Sequence, residues 1–413
     1  MMTTIFLGKG LVYIIFILVY LGMIVGRFPS LALDRTGIVL LGTIILLIAS
    51  PFPPEILFQA VDISTVMLLF GFMIISAQLR LGGFYTIITQ RAANLEGPPQ
   101  KLLAVVIIVS SALSALLSND IICLAMTPVL GEICIKKGLN PLPFLLSLAC
   151  AANIGSALTL IGNPQNMLIG QSLLLPFGPY MLFALIPVVV SLFVLWGIVC
   201  FLYRQHWHET LPLPQKVNLP FLGWQTAKGI LVLSVVVVLF LFAPLPRDMV
   251  ALGAAAILLT SRTMASRKAL NLVDWQLIVL FIGLFIINGA FAKSGGLAAI
   301  EKGLHMAGIS LQHGSWLFWI SAILSNVVSN VPAVMLLLPL SKIPLAGPIL
   351  ALSSTFAGNL IVVGSIANII VINGARDLGL AISWRDHARI GIPVTLTSLL
   401  ISWIWIFAGG PLW

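Results

Sequence analysis

Apolar runs of membrane-span length recur along the chain, and the short polar breaks between them carry most of the information. A span needs about 20 apolar residues at 1.5 Å rise each. Candidates in the first half fall at 11–26, 36–52 and 63–79. The shorter runs 102–117 and 121–135 flank a polar tip, Ser118-Asn119-Asp120, and predict a re-entrant hairpin. Residues 141–173 predict a crossing interrupted between Asn153 and Asn166, and 180–203 a further full span. A polar, proline-bearing linker then runs from Arg204 to about Lys228.

The second half repeats this plan. Runs at 229–243, 248–261 and 275–292 precede a second hairpin tip at Ser329-Asn330-Val331-Pro332, an interrupted crossing at 345–375 and a last span at 390–408. The letters repeat as well. Asp62 with Gly71 answers Asp274 with Gly283, and Gly82-Gly83 answers Gly295-Gly296. Ser118-Asn119 answers Ser329-Asn330, and Gly162 to Asn166 answers Gly364 to Asn368. The expected organisation is an N-terminal span (1–29), a first repeat (30–203), a cytoplasmic linker (204–228) and a second repeat (229–413).

Five crossings in each half is an odd number, so the halves are expected to be inverted. The expected fold is an all-α integral membrane protein of about ten spans plus two hairpins. Alternating the loops places 16 of the 21 Lys and Arg on one face, leaving Lys9, Arg247, Lys293, Lys302 and Lys342 on the other. Positive loops stay cytoplasmic, which predicts external termini, a first hairpin entering from the cytoplasm and a second from outside.

Composition supports the membrane reading. The chain is 60% hydrophobic and 8% charged, against about 25% charged in soluble domains. Its net charge of +9 lies in short loops, which fits anchoring at the membrane surface and not nucleic acid. The first apolar run lacks a small-x-small cleavage site and reads as a retained span. The four cysteines fall in apolar segments without metal-ligand spacing. No nucleophile–His–acid set, carboxylate pair or phosphate loop points to an enzyme.

Broken backbone at membrane depth is tolerated where it is buried in protein or lines a wet cavity, and such breaks point to a transporter's binding site. Two readings stand for the tips. Ser118, Asn119, Asp120 and Asn330 can cap the helices that follow. Alternatively, two opposed helix N-termini near the midplane bind an anion, with nearby oxygens holding a coupling cation. The interrupted crossings supply Asn153, Ser156, Thr159, Gly162, Asn163 and Asn166 in the first half. They supply the sparser set Asn359, Ser365 and Asn368 in the second. Asp120 is the only charged residue between Lys101 and Glu132. It reads either as a cap or as a coupling group, since a charge at mid-bilayer costs about 2.5–3.5 kcal/mol on insertion scales. Sodium, if it binds, is expected near Ser118, Asn119 and Asn153.

Several stretches are similar to the ion transporter superfamily: Ser118-Asn119-Asp120 with Thr127-Pro128, Leu160 to Asn166, Ser329 to Pro332, Gly358-Asn359 with Gly364 to Asn368, and Ile382 to Pro393. That superfamily holds arsenite permeases, divalent anion–sodium symporters, citrate transporters and one class of sodium–proton antiporters. The resemblance implies that Ser-Asn tips help hold substrate and sodium, in dimeric carriers of the elevator type. Dicarboxylate symporters follow each Ser-Asn with Thr. Asp120 and Val331 stand here instead, which looks more like the arsenite permease branch. The function expected is secondary active transport of a small anion or oxyacid across the inner (plasma) membrane, coupled to H+ or Na+. A sodium–proton antiporter using Asp120 is the alternative.

Overall fold

The computed structural model describes residues 2–26, 33–94, 96–209, 221–261 and 264–409. Arg27 and the middle of the expected linker lie outside them. The chain forms α1 (Met2–Val25), α2 (Arg35–Ala49), α3 (Pro54–Phe58), α4 (Ile63–Leu81) and α5 (Phe84–Ala93). These are followed by α6 (Pro99–Leu116), α7 (Asn119–Lys136), α8 (Pro141–Ser156), α9 (Pro164–Ser172) and α10 (Phe177–Leu202). Ten further helices begin with α11 (Gly223–Phe242), α12 (Arg247–Leu259), α13 (Ser266–Leu270), α14 (Trp275–Lys293) and α15 (Gly296–Met306). The series closes with α16 (Gly314–Val328), α17 (Asn330–Leu337), α18 (Ala346–Ala357), α19 (Ile366–Asp377) and α20 (Trp384–Phe407).

Among the described residues, six helices are long and apolar enough to cross a membrane: α4, α6, α10, α11, α14 and α20. Shorter apolar helices fill the remaining positions. Large side chains such as Ile48, Phe193 and Phe242 stand exposed on the outside, where lipid replaces water as solvent. Two carboxylates at the ends of these segments act as helix caps. Asp62 caps α4 by accepting from the Thr65 amide, and Asp274 caps α14 by accepting from that of Leu277.

Packing crosses between the halves. α4 lies on α12, α2 on α14, and α10 on α20. Gly71 and Gly283 permit the first two of these approaches. A Cβ at Gly71 would come within 2.8 Å of the Ala251 backbone, and one at Gly283 within 2.6 Å of Val39. Small residues at such crossings let helix backbones close on one another. α8 sits at the centre, buried along almost its whole length. The hairpin arm α7 packs on α19 and its counterpart α17 on α9, so each hairpin's second arm leans on the other half's broken crossing.

Candidate functional site

Each Ser-Asn tip joins two consecutive helices, α6 to α7 and α16 to α17, but the tips are not capped as expected. α7 begins at Asn119 and α17 at Asn330, and neither Ser118 nor Ser329 makes a side-chain capping bond. Asn119, Asp120 and Asn330 lie inside the first helical turn, where their side chains point away from the cap position. The Asn119 side chain is drawn to Asn153, 2.9 Å away, and its backbone N–H donates to Gly162 O at 3.2 Å. The first tip is therefore tied to the broken crossing.

Each broken crossing repairs its own ends. α8 stops at Ser156 and the backbone resumes as α9 at Pro164, with Asn163 accepting from the Asn166 amide as N-cap. The Asn166 amide nitrogen reaches back to the carbonyls of Ser156 (3.4 Å) and Thr159 (3.1 Å). Asn368 does the same for Gly358 (2.8 Å) and Ile361 (3.2 Å). Thr159 donates to Ala115 O, joining the break to α6. Gly162 is required here, because a Cβ would fall within 2.2 Å of Ser156 O. Ser156, Thr159, Asn166 and Asn368 thus close the carbonyls a broken helix leaves open.

Asn153 joins the two halves. Its Oδ1 accepts from Asn119 and from Ser365 Oγ, both at 2.9 Å. Its Nδ2 donates to Asn359 Oδ1 (2.8 Å) and Asn368 Oδ1 (3.3 Å). Thr355 accepts from Asn163 and Gln165, each at 3.3 Å. In the register that sets Gly162 against Gly364, Thr355 is the counterpart of Asn153 and Ser365 that of Asn163. The bonds Asn163–Thr355 and Ser365–Asn153 are therefore a reciprocal pair. Thr355 was not among the expected site residues. Carrying the glycine register back nine residues would have found it.

Between the tips lies a chamber of about 30 Å³ lined by Asn119, Asp120, Pro164, Gln165, Leu277, Ser329, Asn330, Val331, Ser365 and Ile366. That is room for one or two water-sized groups. Asp120 is its only ionisable lining residue. Two buried amide oxygens at the tips, Asn119 Oδ1 and Asn330 Oδ1, have no hydrogen-bond partner among the described residues, and carbonyl-type oxygens are what a hard cation takes as ligands. Ser118 stands half-buried outside the lining, and Asn153, Gly162, Asn163 and Asn359 form the layer behind it.

A vestibule of about 740 Å³ meets the chamber at Leu277, Ser329, Val331 and Ile366, and its mouth carries Asp34, Arg35, Arg376 and Trp384. A second hollow of about 370 Å³, lined by Asp62, Ser172, Asn288 and Met335 among others, shares no lining residue with the chamber. Of these two hollows, the chamber therefore borders the vestibule alone.

The chain is 29% identical over 376 residues to an uncharacterized transporter of Mycobacterium tuberculosis (strain ATCC 25618 / H37Rv), covering 84% of this chain and 86% of that protein. It is 24% identical to the silicon efflux transporter LSI3 of Oryza sativa subsp. japonica, covering 89% and 91%. It is 27% identical to the inner membrane protein YbiR of Escherichia coli (strain K12), covering 86% and 90%. The crystal structure of the Alcanivorax borkumensis YdaH transporter matches 99% of both chains with a TM-score of 0.59 at 14% identity, a likeness of fold alone. A family model described as citrate transporter matches residues 11–347, so this multi-pass membrane protein belongs to that family of secondary transporters and is not an enzyme.

Proposed function

We propose that the protein carries a small oxyacid or anion, arsenite- or antimonite-like or another inorganic or organic species, by alternating access coupled to H+ or Na+. The observation that carries this reading is the convergence of both tips and both broken crossings on one small chamber. Its lining offers amides, hydroxyls and helix N-termini, with one carboxylate and no basic side chain. Such a lining suits a compact solute with O–H groups better than a tricarboxylate, whose charges would meet Asp120 without a counter-ion. The rice relative's description as a silicon efflux transporter points the same way.

Substrate and ion binding are assigned to Ser118, Asn119, Asp120, Asn153, Asn330, Ser365 and the residues that brace them, with sodium at the unpartnered tip oxygens. The two sets of ten helices form inverted repeats, the first including α1. The hairpins and broken crossings move as the carrier against α1, α2, α4 and their counterparts, in a homodimer of the inner membrane with external termini. Exchanged packing across the halves supports the inversion, and the resemblance to elevator carriers supports the dimer.

Proteoliposomes loaded with arsenite, silicic acid, phosphate, citrate or succinate test the reading, with imposed sodium or pH gradients. Gradient-driven uptake of one small oxyacid or anion is the expected result. The alternative, a sodium–proton antiporter, is favoured by Asp120 being the sole ionisable lining group. Collapse of a pH gradient by sodium alone, with no solute flux, would replace the first reading by the second.

A further inference from the structure

His387 lies one turn into α20 and is 1% exposed. Its Nε2 stands 3.1 Å from the carbonyl oxygen of Asn359, just beyond the end of α18. A carbonyl only accepts, so Nε2 carries the hydrogen and Nδ1 is left with a lone pair. Nδ1 is buried and has no hydrogen-bond partner among the described residues. Gly391, one turn further on, keeps this contact open, since a Cβ there would come within 2.4 Å of the Asn359 oxygen.

The first half holds the corresponding carbonyl with a different group. Tyr180 is the fourth residue of α10, as His387 is of α20. Its hydroxyl donates at 2.8 Å to Ala157 O, and Ala157 is the counterpart of Asn359 in the glycine register. Both halves therefore fasten the end of a broken helix to the next span. Only the second does so with a side chain that has a second ring nitrogen able to take a proton.

We propose that His387 is a proton-binding site of this carrier, taking its proton on Nδ1 and thereby tightening its hold on the Asn359 carbonyl. A hydrogen bond from a charged donor is roughly twice as strong as a neutral one, so acid restrains the unwound segment after α18. The restraint reaches the centre of the site, because Asn359 Oδ1 is held by Asn153. Of the helices packed on α20, α8 brings Cys150, α10 brings Tyr180 and Cys200 with Tyr203 at its end, and α18 brings no titratable side chain. On α20 itself, Asp386 is engaged by Ser383, and Arg389 lies over the Tyr203 ring. The Arg385 side chain is the remaining charge on its first turn. No carboxylate from the packed helices stands ready to neutralise the ring, which leaves the Asn359 carbonyl as its partner.

Two measurements on the full-length protein in lipid nanodiscs test this. The first is nitrogen NMR of the labelled imidazoles, with the His387 signal identified by its absence in His387→Gln. A neutral ring with hydrogen on Nε2 is expected at pH 8, and a doubly protonated ring on acidification to pH 5. The second is amide hydrogen exchange of residues 358–366, corrected for the intrinsic pH dependence. Protection should rise at least threefold from pH 8 to pH 5.5 in the wild type. It should stay within 1.5-fold in His387→Tyr, which restores the first half's arrangement, and in His387→Gln, which keeps an N–H donor should the tyrosine disturb folding. A ring that stays neutral to pH 5, hydrogen on Nδ1 at pH 8, or protection that follows pH equally in the variants would overturn the proposal. Neither measurement needs a transported solute, so it fails separately from the substrate reading.

Discussion

The two hairpin tips share a Ser-Asn motif and a place in the fold, yet they are built differently. The first stands on arms of 18 residues each, α6 and α7, about 27 Å long. Its Ser118 has an ordinary φ of −58°, Asn119 is bonded through backbone and side chain, and Asp120 completes it. The second stands on arms of 15 and 8 residues, the shorter ending in a 3-10 turn at Leu338–Leu340. Its Ser329 sits at φ 78° and ψ 160°, a region nearly reserved for glycine that costs about 1–3 kcal/mol. Asn330 keeps an unpartnered oxygen, and the vestibule opens onto Ser329 and Val331. One motif thus serves as a tethered, charged wall and as a strained, open one. A short arm on strained backbone costs less to rearrange than two long arms tied by side-chain bonds.

The largest effect is expected where the first tip meets the second broken crossing. Asn153→Ala removes four inter-element bonds at about 0.6 kcal/mol each, for about 2–3 kcal/mol in all. It also frees Asn119 and Ser365, so transport should fall below about 1% of wild type by the energetics of a lost binding network. Thr355→Val, at the counterpart position, removes two acceptor bonds and should cost about 1 kcal/mol with measurable flux remaining. Thermal unfolding in detergent and initial uptake rates measure both. Equal losses in the two variants would mean that the halves contribute alike and that the asymmetry has no functional weight.

Next in size is the charge that only the first tip carries. Asp120→Asn keeps the shape and removes the titration. The variant should insert correctly and exchange solute down its gradient, yet accumulate it at least tenfold less under an imposed proton or sodium gradient. Accumulation that survives this change places coupling elsewhere and reduces Asp120 to an electrostatic neighbour of the tip.

Much of this comparison was legible in the letters. A stretch from Gly138 to Tyr203 without a charged residue made the amides from Asn153 to Asn166 conspicuous, and the same glycine spacing marked the second break. Three things were not legible. The caps expected from Ser118, Asn119, Asp120 and Asn330 are absent; Asn119 is claimed instead by Asn153, 34 residues further on, and local sequence carries no trace of that bond. α5 and α15 follow Gly83 and Gly295, whose φ values of 79° and 90° turn the chain. The glycine pairs were visible, but ten or eleven residues of mixed polarity gave no span to attach them to. Thr355, Tyr180 and His387 are ordinary residues in apolar helices. They acquire meaning only when the repeat register is carried through the breaks and into α10 and α20.

The smallest effect tests the strain that separates the tips. Ser329→Gly removes a Cβ from a backbone conformation that glycine adopts without penalty. It should raise stability by about 1 kcal/mol, the lower end of the strain assigned to such positions. Ser118→Gly makes the same chemical change at φ −58°, where no strain is relieved and the unfolded chain gains freedom. It should lower stability by about 0.5–1 kcal/mol. The two substitutions are therefore expected to differ in sign, which separates backbone strain from loss of a hydroxyl, common to both. Unfolding midpoints in detergent give the sign directly. If both lower the midpoint equally, Ser329 is held by its hydroxyl rather than strained by its backbone, and the second tip is no easier to rearrange than the first. If only Ser329→Gly raises it, a change in exchange rate in the same variant shows whether the strain biases the carrier toward the state with the open vestibule.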